Sequence, residues 1–425
     1  MRTAGRAGRW VRVWMGAVCG MAALAASAGC GRPQAGGTEL APVVPLSLVA
    51  GGMHVVWHTP LTLDPPTRVT EAWVRGGYLV CRAGNNRIYV LNAASGVLLW
   101  SRRMAEPYQD VYAPAVYQDT LYVASTTKLT ALRVSDGRVL DETGLDFAPA
   151  GGIVTNGEHC YIPAWGGWLQ AVALVPKTMS WGRWTEGAMT AAPALDSTSV
   201  FFGSQSGEIL ASAQNTRRVS WVYQTEGPIV ADLKRTKSGL ILAASLDYSL
   251  YAINGSSGRR EWRFDAGEPL KTPPYADGGQ VFVFADGIGL VVLDEATGRI
   301  QWRETDAQAY VGVDADTLYS RSRDDLLVAA ARTDGAKRFA VPLRADTLVA
   351  VNETGTGVLY LVTEEGLVQA LARKGAPEEA APSPPAAPIQ PAVPTEPPPP
   401  SDTPAPEETP APADATEPAD AGGGA

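Results

Sequence analysis

The chain has 425 residues, a net charge of −9, 19% charged and 45% hydrophobic residues. That balance suits a body with a sizeable apolar core and excludes a wholly disordered polymer. No basic stripe runs along the chain, which excludes nucleic acid as an expected partner.

In chain order, residues 1–29 come first, with Arg2, Arg6, Arg9 and Arg12, no acid, and an apolar stretch from Val13 to Ala28. Basic residues, then an apolar run, then small residues make the pattern of a secretory signal peptide. The run of 16 residues is short for a membrane span of about 20. Removal of the segment takes the net charge from −9 to −13. The stretch ends Ser27-Ala28-Gly29-Cys30, and residues 31–50 are rich in Gly, Pro and small side chains. Such a tether of about 20 flexible residues has an r.m.s. reach of roughly 25 Å.

A long periodic region follows. Trp57, Trp100, Asp141, Trp181, Trp221, Trp262, Trp302 and Phe339 are separated by 43, 41, 40, 40, 41, 40 and 37 residues. Most of these anchors stand four residues after a Gly, as in Gly96…Trp100, Gly258…Trp262 and Gly298…Trp302. Between anchors lie short β-branched or aromatic runs split by polar turns, such as Val281-Phe282-Val283-Phe284 and Leu290-Val291-Val292-Leu293. These runs predict four-stranded units joined by hairpins. A period near 40 predicts an array of such units, and one four-stranded sheet cannot hide both faces, so the units pack in a ring. After Phe339 the expected Trp strand is missing, while Met53-His54-Val55-Val56-Trp57 is a surplus strand at the other end. The surplus strand supplies the last blade, which gives an all-β, eight-bladed propeller over residues 51–374 closed by its N-terminal strand.

The propeller ends in a segment, 375–425, with 16 prolines, nine acids and no base. It cannot bury a core, and the expectation is an extended, disordered tail. Cys81 and Cys160 fall in equivalent strands of blades 1 and 3, too far apart for a disulfide, so both are expected to be buried free thiols. His54 and His58 are placed at the closing strand and the turn beyond it, where their spacing does not make a metal pair, and His159 stands alone. Asp232, Asp277, Asp286 and Asp294 read as turn formers.

The copy Ser249-Leu250-Tyr251-Ala252-Ile253-Asn254-Gly255-Ser256-Ser257-Gly258-Arg259-Arg260-Glu261-Trp262 resembles the PQQ-like β-propeller repeat. No Trp here precedes Asp and no Gly-His pair opens a repeat, which separates the chain from WD40 propellers. Ser-Ala-Gly-Cys resembles the bacterial lipobox, which implies cleavage before Cys30 and lipid attachment to its thiol. Gly31 in place of Asp implies outer-membrane sorting. In architecture the chain is similar to the outer-membrane-protein assembly lipoprotein family of the Bam complex, which implies a lipid-anchored, periplasm-facing scaffold without catalysis. Arg183 and Asp232 are the positions comparable to that family's partner-binding stretch. The sequence adds Trp165-Gly166-Gly167-Trp168 between two strands of blade 3 and Trp181-Gly182-Arg183-Trp184 in the loop leaving it. Trp165, Trp168, Arg183 and Trp184 are therefore the candidate partner-binding patch for an envelope protein. The propeller family also includes quinone-dependent dehydrogenases with quinone and Ca²⁺ on the ring axis. This chain has no Cys-Cys pair and no identifiable set of cations and carboxylates for the axis, so no cofactor or metal is expected. An envelope scaffold with some other partner is the remaining alternative.

Overall fold

The computed structural model describes residues 52–174, 180–353 and 355–373. The leader, Cys30, the tether and the tail 375–425 lie outside the described residues. Among the described residues there are eight four-stranded antiparallel sheets, the blades of an all-β propeller. Blade 1 runs through Val69–Arg75, Tyr78–Ala83, Arg87–Asn92 and Leu98–Arg103, and six more blades follow in sequence order. Blade 8 takes its first three strands from Thr347–Ala350, Leu359–Thr363 and Leu367–Arg373, and its outer strand from Met53–Pro60. Met53 pairs with Arg373 and Pro60 with Leu367, so the first described strand closes the ring as the sequence predicts. The strand extends past His58, which is therefore not in a turn; both His54 and His58 are exposed on it.

The anchor tryptophans all lie in outer strands, and each reaches forward into the next blade. The indole N–H of Trp57 donates to Ala93 O (3.0 Å), Trp100 to Val134 O (2.6 Å), Trp181 to Gln214 O (3.1 Å) and Trp221 to Gly255 O (2.8 Å). Trp262 donates to Glu295 O and Trp302 to Arg332 O, both at 2.8 Å. The recurring spacing Gly-x-x-x-Trp thus joins two different contacts, because each Gly lies beneath the tryptophan of the preceding blade. At Gly298, with φ +69°, a Cβ would sit 2.6 Å from the Trp262 ring. The same exclusion holds at Gly96 under Trp57, Gly137 under Trp100, Gly258 under Trp221 and Gly335 under Trp302. Positive φ and lack of room both require Gly there.

Local strand geometry aims the rings. The register slips by one residue just before the anchor in seven of the outer strands, as between Val55 and Trp57 or where Trp262 pairs Ala252 but Arg260 pairs Ile253. Such a bulge bends the strand and turns the following side chain toward the neighbouring blade. The partner opposite each anchor is always Ala or Val, which leaves space for the ring. Two anchors are not tryptophan, Asp141 and Phe339, and for Phe339 there is a structural reason: blade 8 has no turn between third and outer strands, because the chain enters and leaves there. Ions replace the ring at that boundary. Asp316 of blade 7 accepts from Arg338 at 2.9 Å and also pairs with Arg373 of blade 8. The Arg338 hydrogen bond, foremost, holds the Asp316 carboxyl well below the usual carboxylate range.

Turns between inner and second strands and between third and outer strands form one rim of the propeller, here the first rim. Turns between second and third strands, and the connections between blades, form the second. Gly52 and Arg373, at the two ends of the described chain, lie on the first rim at blade 8.

Two outcomes follow from this packing. Trp262→Ala should cost about 3–5 kcal/mol, as for other buried aromatic deletions. Gly298→Ala should cost about 2–4 kcal/mol from left-handed strain plus overpacking. Urea melts should show the double variant less destabilised than the sum, because the two changes remove one contact; strict additivity would mean that the ring and the Gly are not coupled.

The second concerns Glu304, 6% exposed in the outer strand of blade 6. Its Oε2 accepts from Ser320 at 2.7 Å, while Oε1 is buried without a hydrogen-bond partner. Burial pushes its pKa up from the ordinary Glu value. As pH rises through the ordinary range, the unfolded chain loses this proton first, so Glu304 lowers stability progressively up to its folded-state pKa and constantly above it. Glu304→Gln should therefore raise the denaturation midpoint at neutral pH, with the gain shrinking as pH falls toward 4. A gain that is constant with pH would remove the titration as its cause.

Candidate functional site

Two regions of the propeller carry side chains that packing alone does not explain. One is the second rim of blade 3. Its second and third strands, His159–Ala164 and Trp168–Ala173, are joined through Trp165, Gly166 and Gly167. Gly166 and Gly167 both have φ +83°, and a Cβ on Gly167 would collide with Thr185 O. The Thr185 amide donates to Gly167 O at 2.8 Å, which clamps this hairpin to the end of the outer strand. Trp181–Trp184 is that outer strand, not the exit loop that the sequence suggests. Its edge position and pairing with Trp168–Ala171 explain the difference.

The clamp sets three tryptophans together. Trp168 pairs directly with Trp184 across the strands, and Trp165 follows in the adjoining turn. They are 41%, 51% and 56% exposed respectively, unlike Trp181 at 4%. Arg183 alternates to the other face of the strand, in register with the buried Leu169, on the side where Trp181 packs toward blade 4. Its Nε is buried without a hydrogen-bond partner. Beside Trp168, a cleft of about 380 Å³ opens between blades 2 and 3, with Leu145, Phe147 and Arg217 in its walls.

The other region is the ring axis, which sequence reasoning missed. All eight blades contribute to a chamber of about 460 Å³ lined by inner strands and first-rim turns. Arg75, Lys234, Arg235 and Lys237 meet Asp277 and Glu353 there. The expectation of no cation and carboxylate set on the axis is thus overturned. Lys234 pairs with Glu353 at 2.6 Å and lies 5.5 Å over the ring of Tyr275, which stacks on Tyr310 at 4.5 Å. Asp277 is no simple turn former. It accepts from Arg332 at 2.8 Å, and Arg332, 8% exposed, also donates to Asp277 O, Asp314 O and Gln280 Oε1. Asp232 accepts from the Ala192 amide at 2.8 Å and so joins blades 5 and 4. Asp294 does cap its own turn, accepting from the Thr297 amide.

Cys81 and Cys160 are buried free thiols, and burial pushes each up to about 12. Thiols held that far from ionisation are inert. Among the described residues, no group of three or more His, Cys, Asp and Glu stands ready for a metal ion. No described helix is long and apolar enough to cross a membrane.

Eight blades, outer-strand tryptophans on glycine turns and an N-terminal closing strand define a propeller of the PQQ-repeat class. Comparison with known proteins narrows the class: the family model described as outer membrane protein assembly factor BamB matches residues 53–223 and 224–311, more than half the chain, and the chain belongs to that family. A curated relative named outer membrane protein assembly factor BamB, from Nitrosomonas eutropha, is 28% identical over 116 residues. That match spans 26% of this chain and 28% of the relative's length. Among solved structures, BamB from Moraxella catarrhalis superposes with a TM-score of 0.60 at 14% identity, over 75% of this chain and 99% of that one. The computationally designed Ika8 protein gives the same TM-score at 13% identity, over 72% of this chain and 96% of its own. At such identities these two structures show the fold alone.

Proposed function

We propose that the chain is a lipid-anchored, non-catalytic scaffold of the bacterial outer membrane, facing the periplasm, which docks a protein partner in outer-membrane protein assembly. Membership of the assembly-factor family supports the role. The observation that carries the docking is the rigid cluster of Trp165, Trp168 and Trp184 on one rim, with Arg183 behind it. Large aromatic side chains and Arg are the groups that most often anchor interfaces, and a clamped turn loses little freedom on binding. Cys30 is the proposed lipid site, and the leader before it the signal for export.

The quinone-dependent reading has the charged axial chamber in its favour. Stoichiometric uptake of the quinone with a shifted absorption band and dye-linked alcohol oxidation would replace the scaffold reading with it.

The scaffold reading makes two checkable claims. Paired Trp165→Ser and Trp168→Ser changes should leave the thermal melt nearly unchanged and abolish co-purification of the partner from envelope fractions. A collapsed melt would make these rings core, and an undiminished partner would put the docking face elsewhere. Cells fed a radioactive fatty acid should label the wild-type chain and not Cys30→Ala, whereas equal labelling would end the lipid anchor.

A further inference from the structure

The outer wall of the ring changes character where the ring closes. On blade 5 the three residues before the anchor are Arg259, Arg260 and Glu261, and on blade 7 they are Ala336, Lys337 and Arg338, all exposed. At the seam the same positions hold His54, Val55 and Val56 of blade 8 and Val97, Leu98 and Leu99 of blade 1. Val55, Val56, Val97 and Leu98 are 38–56% exposed. They flank one contact, since Val56 precedes Trp57 and Val97 follows Gly96, on which the Trp57 ring lies. Thr59 of the closing strand donates to Gly96 O at 2.6 Å and so ties the two halves of the patch together. Clustered exposed aliphatics, at positions that other blades make charged, mark a contact face.

The charges on this face have one sign. The outer strands Met53–Pro60 and Leu98–Arg103 contain no carboxylate, and neither does the turn 93–97. Arg102 and Arg103 end the blade 1 strand, both exposed, and neither side chain has an ion-pair or hydrogen-bond partner among the described residues. In a chain of net charge −9, a wall with two unpaired guanidinium groups and no acid suits an anionic partner. Aliphatic groups beside arginines fit the boundary layer of an anionic bilayer, where the former enter the acyl edge and the latter reach the phosphates. An added β-strand, by contrast, needs a regular row of free backbone groups along one edge. The bulge between Val55 and Trp57 breaks that row, and the patch crosses two blades instead of following one strand.

We propose that the seam wall of blades 8 and 1 is a membrane-contact face, with Val55, Val56, Val97 and Leu98 in the interfacial layer of an anionic bilayer and Arg102 and Arg103 on its phosphates. The ring then stands with its seam toward the lipid and leaves the tryptophans of blade 3 free for a protein partner. The contact is separate from the lipid site proposed at Cys30, because every group in it belongs to the folded ring.

Dyes at single positions of the full chain test it. Cys19→Ala and Cys30→Ala leave only the buried, inert Cys81 and Cys160. An environment-sensitive dye is then attached at Val97→Cys or, half way round the ring, at Val222→Cys in the outer strand of blade 4, a similarly exposed position. Both chains carry the same leader, so only the orientation of the ring separates them. With vesicles of phosphatidylcholine and phosphatidylglycerol, the dye at Val97→Cys should shift to the blue and be quenched by spin-labelled acyl chains, while the dye at Val222→Cys stays aqueous. Arg102→Gln with Arg103→Gln, two exposed changes, should raise the lipid concentration needed for that shift about thirtyfold, the factor for two contacts of about 1 kcal/mol each. An aqueous dye at Val97→Cys, equal responses at both positions, or an equal response to pure phosphatidylcholine overturns the proposal. A blue shift at Val97→Cys without vesicles would make a second copy of the chain the occupant and overturn it as well.

Discussion

The contact between one blade's indole and the next blade's glycine turn organises this molecule. Each four-stranded sheet has two apolar faces and its own hydrogen bonds use only its strand edges, so nothing within a blade fixes the neighbour's position. The anchor supplies both the apolar area and a directional bond, N–H to a specific carbonyl, as with Trp262 and Glu295. A directional bond between blades sets register as well as distance. The other local features serve it: the bulge before the anchor turns the ring outward, the small residue opposite makes room, and the glycine allows the ring to lie flat on the turn. Where the turn is missing, at blade 8, the tryptophan is also missing and an Arg–Asp cluster spans the boundary.

Much of this was legible in the sequence because the latch repeats. Eight anchors at nearly constant spacing give the blade number, and a surplus Trp57 strand at one end gives the closure. Trp165 and Trp168 were visible for a related reason, since aromatics beside Gly166-Gly167 break the pattern of the other blades. What stayed hidden belongs to the ring as a whole. Arg75, Lys234, Lys237, Asp277 and Glu353 come from four blades, and no local pattern places them on one axis. The inner strands that carry them are as short as Lys234–Arg235, too short for an alternation to be read. Trp181–Trp184 looked like a loop because Gly182 interrupts the pair of tryptophans, yet pairing with the third strand makes it an edge strand. Arg183 was grouped with its tryptophan neighbours by sequence, while the two-residue period of a strand puts it on the other face.

The two rims differ in chemistry as a result. The first rim carries the chain ends, the cation-rich mouth of the axis and the glycine turns under the anchors. The second carries three half-exposed tryptophans on a clamped hairpin. A propeller separates these surfaces by the full length of its strands, so charge-based and apolar contacts do not compete for one site. Both sets of side chains stand at strand ends and in the turns beside them, along opposite rims.

The strand that closes the ring is also the one that receives any pull from the chain ahead of it. Load applied before Gly52 acts first at the Met53–Arg373 pair, at the end of a ladder. Such a ladder opens like a zipper, one rung after another, and resists far less than strands slid past each other. Only two rungs beyond Met53 precede the bulge, and then the Trp57 ring, bonded to Ala93 of blade 1, must tear out as a unit. The seam therefore has a mechanical fuse at its rim and a stop at Trp57, which lets the first few residues peel under load while the ring stays shut.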